Sequence, residues 1–292
     1  VGVTPTMHQN FKMRGTGVVV GVFDSPVRCT HVSFGDRCTV NYGYFGSQDP
    51  PTEAVPGQHG THVGGIIAAS DTEGETVGVA PGVELRSWQT CLTSSSACGS
   101  GSVQKYGDGN VSNLRARGDA FDLFHQQGMS VSNHSYGGGN SFGWGSVGAY
   151  EYDVMASRYP NNVFVWAAGN SHFNAADWTF ASNVQPRDEL KNFIVVTALM
   201  PSNELVYFSN APGENGFCNI SSQVCLERNK FKYFTVSAPG TNILSAGHLD
   251  DTGTYTSDGT SMAAPIVTGV VALLQGYWPA LKSDASKVTS II

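Results

Sequence analysis

Four polar side chains stand beside apolar segments, where a reactive group can be both held and exposed. Asp24 closes the run Val19-Val20-Gly21-Val22-Phe23. A partly buried carboxylate there can orient an imidazole and stabilise its cation, or it can cap the turn ahead of Pro26. His59 lies in Gly57-Gln58-His59-Gly60-Thr61-His62. Its imidazole titrates near neutral pH and can act as a general base, although a lone histidine also fills a structural role. The step of three to His62 admits a metal pair, but H-E-x-x-H is absent and no third ligand follows. Ser261 sits in Asp258-Gly259-Thr260-Ser261-Met262-Ala263-Ala264-Pro265, ahead of the apolar stretch Ile266 to Leu274. At a helix amino terminus its oxygen is exposed, and free N–H groups and the helix dipole can stabilise an oxyanion. A helix cap would explain Ser261 but not the small residues around it. Asn170 ends Phe164-Val165-Trp166-Ala167-Ala168-Gly169. Its amide can donate to an oxyanion or simply shape a turn.

Elements of two kinds must position these groups. Val18 to Phe23, Met129 to Ser132, Val163 to Ala167 and Phe193 to Ala198 are apolar without alternation, the pattern of strands buried on both faces of a parallel sheet. Between them lie stretches of helical length: His62 to Ala69, Ser112 to Gln127, Ser146 to Arg158 and Met262 to Tyr277. Strand alternating with helix predicts βαβ units, an α/β fold whose mainly parallel sheet is covered on both sides. In such sheets sites gather at the carboxyl ends of the strands. No repeat, low-complexity tract or linker divides residues 1–292, so one domain is expected.

At these residues the sequence resembles the subtilisin-like serine proteases. The likeness rests on Asp24 after its strand, His59-Gly60-Thr61-His62-Val63, Ala168-Gly169-Asn170, and Gly259-Thr260-Ser261-Met262-Ala263-Ala264-Pro265, in the family's order. Val77-Gly78-Val79-Ala80-Pro81, Asn133-His134-Ser135-Tyr136-Gly137 and Ser237-Ala238-Pro239-Gly240 are similar to the family as well. The resemblance implies a three-layer α/β/α fold and a serine endopeptidase working by acyl transfer. Ser261 would attack the peptide carbonyl, His59 would take and return the proton, and Asp24 would hold the imidazole. Asn170 and the Ser261 N–H would bind the oxyanion. Ser135, Tyr136 and Gly137 would pair with extended substrate, and Ala167, Ala168 and Gly169 would line the primary pocket. Ser171, rather than a carboxylate, follows Asn170, which points to an uncharged pocket suited to apolar or aromatic side chains. The implied partners are proteins or peptides and the chain's own propeptide.

Departures from the family pattern have consequences. Ser25-Pro26 follows Asp24 where the family has Thr-Gly or Ser-Gly, and proline fixes its own φ and restricts the residue before it. Gln58 stands where glycine is common, and Gly64 where alanine is usual. The altered turn keeps open a rival reading, a pseudoprotease that binds peptides or a receptor without cleaving them. An esterase is disfavoured, because Gly-Thr-Ser-Met-Ala is not Gly-x-Ser-x-Gly and the order Asp–His–Ser is wrong for that fold. The loop Ser70 to Thr76, with Asp71, Glu73 and Glu75, lies where many relatives bind calcium, and its acids are equally read as solvated. No cofactor is required by the implied chemistry.

Composition limits the alternatives. Of 292 residues, 40% are hydrophobic, 13% charged and 35 are glycine, which excludes charge-driven disorder, while the absence of a three-residue glycine period excludes collagen. A net charge of −7 argues against nucleic acid as a partner. Val267 to Leu274 is among the longest apolar runs, short of the roughly 20 residues of a membrane span. The six cysteines form three close pairs, Cys29 with Cys38, Cys91 with Cys98, and Cys218 with Cys225. Sequence alone leaves every pairing open, local pairing being the simplest. Without C-x-x-C a zinc site is not indicated, and an oxidising, extracellular setting is favoured over six free thiols. Asn110, Asn133 and Asn219 sit in N-x-S triplets, Asn133 in a strand expected to be buried. No leader pattern opens the chain at Val1, and a helical pattern from Lys282 breaks off at Ile292, so an excised piece of a longer precursor is expected. The second and third cysteine pairs sit in insertions. The Cys218–Cys225 insertion, with Ala264-Pro265-Ile266-Val267-Thr268-Gly269, is similar to passenger domains of bacterial autotransporters.

Overall fold

The computed structural model describes residues 3, 5–10, 12–41, 57–70, 74–89, 121–136, 156–170, 191–211, 218–219, 224–225 and 235–292. At its centre seven strands run parallel: β1 (Val19–Asp24), β2 (Cys38–Asn41), β3 (Glu84–Gln89), β4 (Met129–His134), β5 (Val163–Ala167), β6 (Phe193–Leu199) and β9 (Thr235–Pro239), in the order β2-β3-β1-β4-β5-β6-β9. From β1 the chain steps out to β2 and returns to β3, which lies between β2 and β1, then runs outward on the other side through β4, β5, β6 and β9. That reversal makes a switch point between β1 and β4, and the crevice at its carboxyl ends is where open α/β sheets bind ligands. Two short antiparallel ribbons complete the strands, β7 (Cys218–Asn219) with β8 (Val224–Cys225), and β10 (Ile243–Ala246) with β11 (Thr254–Ser257).

The described residues include the helices α1 (Pro5–Asn10), α2 (Gln58–Ala68), α3 (Thr260–Tyr277) and α4 (Ala285–Ile291). Residues 121–126 and 156–158 are also helical, at the ends of the two stretches expected to be helices; the rest of those stretches, and the loop Cys91–Cys98, lie outside the described residues. α2 begins at Gln58, four residues ahead of the expected start, which puts His59 inside its first turn. Glycines at 57 and 60 are poor helix formers, but packing on the turn after β1 overrides them. α3 begins two residues early, at Thr260.

Every residue of β1, β4 and β5 is buried, as the unbroken apolar runs require. Successive side chains still point to opposite faces, and the two faces differ in kind. Val20, Val22, Val131, Val163, Val165 and Val196 meet the core faces of α2 and α3. Phe23, Trp88, Phe121, Phe124, Phe164 and Trp166 form a separate aromatic layer on the other side, with ring centroids such as Phe121–Phe164 at 5.4 Å. The Gly- and Ala-rich sequences of α2 and α3 sit close to the aliphatic face. α3 has the length and mean hydropathy, 1.3 over 18 residues, of a membrane span. It is the helix of the protein core, with Met262, Ile266, Val267, Val271 and Leu273 buried, each contributing about 1.5–3 kcal/mol.

Candidate active site

β1 and β4 are paired with Phe23 opposite His134, so Asp24 and Ser135 emerge level with one another from neighbouring strands, about 5 Å apart. On the next strand His134 is opposite Trp166, so the segment after β5 leaves the same edge of the sheet. The helices supply the remaining groups, His59 from the first turn of α2 and Ser261 from the first turn of α3. Residues far apart in the sequence thus share one crevice.

Asp24 is 2% exposed and directs both carboxylate oxygens at His59, whose Nδ1 lies 2.8 and 2.9 Å away. The His59 side chain is 21% exposed, so the ring has one edge on the acid and another toward solvent. Burial alone would pull its pKa down; the charge of Asp24 and the hydrogen bond to it outweigh burial, and the net shift is up from the ordinary histidine value. Ser25 completes the shell of the acid, donating to Asp24 Oδ1 from its backbone N at 2.7 Å and from its hydroxyl at 3.3 Å. Its Pro26 neighbour accepts from Gly57 N at 2.7 Å. The Ser25-Pro26 turn therefore holds Asp24 in place beside His59.

His62 is engaged away from His59. Its Nε2 lies 2.9 Å from the Ile243 carbonyl and 3.1 Å from that of Tyr255, while its ring packs on Tyr255 with centroids 4.4 Å apart. Burial pushes its pKa down to about 4, against the pull of those two carbonyls. Tyr255 in turn donates to the Gln58 carbonyl at 2.8 Å, and burial and then the Asp24 charge push its phenol up. His62 and Tyr255 tie α2 to the β10–β11 hairpin, which leads directly into α3.

Ser261 Oγ donates to the Ser135 carbonyl at 2.9 Å, and Ser135 Oγ donates back to the Ser261 carbonyl at 2.9 Å. Pro265 explains the second bond. Proline has no N–H, so the carbonyl four residues earlier, that of Ser261, has no helical donor. The Ser135 hydroxyl takes that place. Ser135 Oγ is itself held by Asn133 Nδ2 at 2.9 Å, and Asn133 Oδ1 accepts from Thr268 of α3 at 2.9 Å. Asn133 is fully buried in this chain of bonds, so its N-x-S triplet is no glycosylation site. Among the described residues Ser261 Oγ bonds to Ser135 and not to His59.

Asn170 is exposed, and its Oδ1 accepts from Thr260 N and Thr260 Oγ1, both at 2.9 Å. Since Thr260 N can only donate, the amide is oriented with Nδ2 free to donate away from it. Gly259 has φ of 149°, and a β-carbon there would lie 3.2 Å from Asn170 Nδ2, so glycine keeps this donor clear. The Ser261 N–H, in the first turn of α3, takes no partner among the described residues. Thr260 Oγ1 also accepts from Gly169 N at 3.0 Å. Ala167 and Ala168 are buried, and Asn210 caps the segment, donating to the Ala168 and Gly169 carbonyls. Tyr136 stands over Trp166, ring centroids 5.0 Å apart. Gly137 and Ser171 lie outside the described residues.

Ser25, Thr260, Asn133 and Thr268 lay inside quoted segments but were assigned no role in the site from the sequence, and Asn210 was not singled out at all. Ser25 and Thr260 adjoin candidate residues and carry short hydroxyls, a signal that was present; Asn210 and Thr268 carry none. Of the cysteines, Cys29 and Cys38 form a disulfide with Cα atoms 5.1 Å apart, tying the loop after β1 to β2. Cys218 and Cys225 are directly opposite in the β7–β8 ribbon. Asp71 and Glu73 lie outside the described residues, and Glu75 accepts from Thr254 at 3.3 Å.

A parallel sheet carrying an Asp–His pair, a serine at a helix start and an asparagine at a strand end, in that spatial arrangement, defines a scaffold for nucleophilic acyl chemistry. The chain belongs to the subtilase family of peptidases, which matches it over residues 15–291. It is 32% identical to fervidolysin of Fervidobacterium pennivorans over 97% of this chain and 38% of that protein. It is 31% identical to alkaline protease 1 of Aspergillus clavatus over 90% of this chain and 53% of that one. A cold-adapted subtilisin-like serine proteinase of known structure superposes with a TM-score of 0.59 at 27% identity, covering 90% of this chain and 76% of its own. The chain thus spans about two-fifths and about half of the two named relatives' own lengths.

Proposed function

We propose that residues 1–292 form the catalytic domain of a secreted serine endopeptidase that cleaves proteins or peptides through an acyl-enzyme on Ser261. The observation that carries this reading is the buried Asp24 carboxylate set on His59 Nδ1 at 2.8 and 2.9 Å, which fixes the tautomer and leaves Nε2 to serve as base. Asn170 Nδ2 and the Ser261 N–H receive the oxyanion, and the segment from Ser135 pairs with substrate. In that step the Ser261 hydroxyl leaves the Ser135 carbonyl and its proton passes to His59. Ser261 Oγ bonds to the substrate carbonyl carbon as its C=O opens to the oxyanion. Collapse breaks the C–N bond while His59 gives the proton to the departing amine, and a water that His59 deprotonates then hydrolyses the Ser261 ester.

Ser25-Pro26, which opened the pseudoprotease reading, leaves the acid and base in contact and so does not favour it. The Cys29–Cys38 disulfide supports an oxidising, extracellular setting. The opposed backbones of Cys218 and Cys225 suit a second bridge. By the family pattern the primary pocket takes apolar or aromatic side chains, calcium binds the loop near Glu75, and a propeptide occupies the site. The test is labelling with a fluorophosphonate followed by mass spectrometry. One adduct on Ser261, absent in Ser261→Ala, is expected; a folded protein that takes no adduct would refute the reading.

A further inference from the structure

Ser25 stands between the two members of the acid–base pair. Its hydroxyl donates to Asp24 Oδ1 at 3.3 Å and accepts from Gly60 N at 2.8 Å, the amide directly after His59. Its backbone N holds the same carboxylate oxygen at 2.7 Å. The fit is close on all sides. Ser25 is 3% exposed, and a β-carbon on Gly57 would run into its side chain, one on Gly60 into its carbonyl oxygen. On the far side Pro26, fixed in φ, takes the Gly57 N–H. The turn and the first residues of α2 therefore interlock through two hydrogen bonds and two glycines, with His59 between the glycines.

Building on the triad reading above, we infer that Ser25 is a positioning residue of the reaction: its hydroxyl couples the orientation of the Asp24 carboxylate to the placement of the His59 backbone. A hydroxyl is suited to this because it accepts from one partner while donating to another. Alanine would free one oxygen of the acid from a donor and leave the Gly60 N–H buried without a partner. The groups facing His59 are Asp24 from β1, His62 from α2 itself and, through Asp24, Tyr255 from β11. Only the first holds the ring by a hydrogen bond, so a loosened carboxylate lowers its hold on the imidazolium.

The experiment compares wild type, Ser25→Ala and Ser25→Thr, each at concentrations set by active-site titration so that misfolded protein does not count. For Ser25→Ala the expected result is a kcat about tenfold lower with KM within twofold, the scale of a slightly misplaced catalytic group. The acid limb of its kcat/KM profile moves to lower pH, and Ser25→Thr, which keeps the hydroxyl, returns to within threefold of wild type. An alanine variant with wild-type kcat per titrated site and an unmoved acid limb overturns the inference. So does an equal loss in both variants, which would mean that fit and not the hydroxyl matters. Failure of wild type itself to titrate would refute the triad reading instead, so the two are told apart.

Discussion

Asp24 sits at 2% exposure with its carboxylate engaged by His59 and twice by Ser25, whereas Asn170 is exposed and the Ser261 N–H is unspent among the described residues. In the proposed mechanism, the acid–base half of the site is finished before any substrate arrives. The oxyanion half is rigid in its acceptors, since Thr260 and Ser135 hold Asn170 and Ser261 in place, yet it keeps donors for a charge that exists only in the transition state. The difference follows from what each half must do. A base must be held in one tautomer throughout, while oxyanion donors act most strongly if already oriented and not yet satisfied. Pro265 serves the second requirement by freeing the Ser261 carbonyl for Ser135, which locks the backbone and leaves its N–H alone.

Three experiments can break or sharpen that contrast. The largest effect is expected from Asp24→Asn, which keeps the shape but removes the charge and reverses the tautomer of His59. We expect kcat to fall about 10^4-fold, and the acid limb of kcat/KM to move down, because the Asp24 charge and hydrogen bond are what raise His59 against burial. In wild type that limb lies above the ordinary histidine value of about 6.5, since His59 must be neutral to accept a proton. A limb at or below 6.5 in wild type would contradict a pre-charged pair.

Asn170→Ala comes next and strikes the open half. Loss of one oxyanion donor costs about 10^2- to 10^3-fold in kcat with KM little changed, the range found for the equivalent donor of subtilisin, a member of this family. A large rise in KM instead would show that Asn170 binds the ground state. The pH profile should stay put, because no charge near His59 is altered; a shifted limb would dissolve the separation between the halves.

The smallest effect concerns stability. His62 is neutral in the fold with its pKa lowered to about 4, while the unfolded chain takes up a proton near 6.5. Stability therefore falls as pH drops from about 6.5 to about 4, by about 3 kcal/mol in all, and levels off below. Urea unfolding across that window should show the slope, and His62→Gln should flatten it. The raised His59 acts in the opposite sense, adding stability that is present below 6.5 and lost as pH rises through its folded pKa. No change in slope on replacing His62 would mean that the α2–hairpin contact is not the acid-sensitive joint.

How much of this was legible in the sequence depends on where each residue's partners lie. β1, β4, β5 and β6 were readable because burial on both faces writes an unbroken apolar run into a single segment. β2, β3 and β9 were not, since Cys38–Asn41, Glu84–Gln89 and Thr235–Pro239 mix polar with apolar residues. The four candidate residues were readable through their neighbours: small residues around Ser261, an apolar strand ahead of Asp24 and Asn170, glycines around His59. The helical stretch was started at His62, four residues late, because the glycines that admit Ser25 are poor helix formers wherever the turn they pack against is out of view. The Asn133 triplet, a glycosylation signal in form, was expected to be buried, and the structure shows why it must be, with both ends of the amide bonded.

By itself the sequence determined the kind of sheet, the order of the functional segments along the chain and the family to which they belong, because each is written in contiguous residues. The tertiary structure alone decided that Asp24 and Ser135 lie level across a strand pair, that the serine hydroxyl rests on the Ser135 carbonyl, and that Ser25 bonds both Asp24 and the Gly60 amide. Those relations depend on strand register and on helix-to-strand packing. Both are set by contacts between residues 30 to 130 positions apart, which no local pattern records.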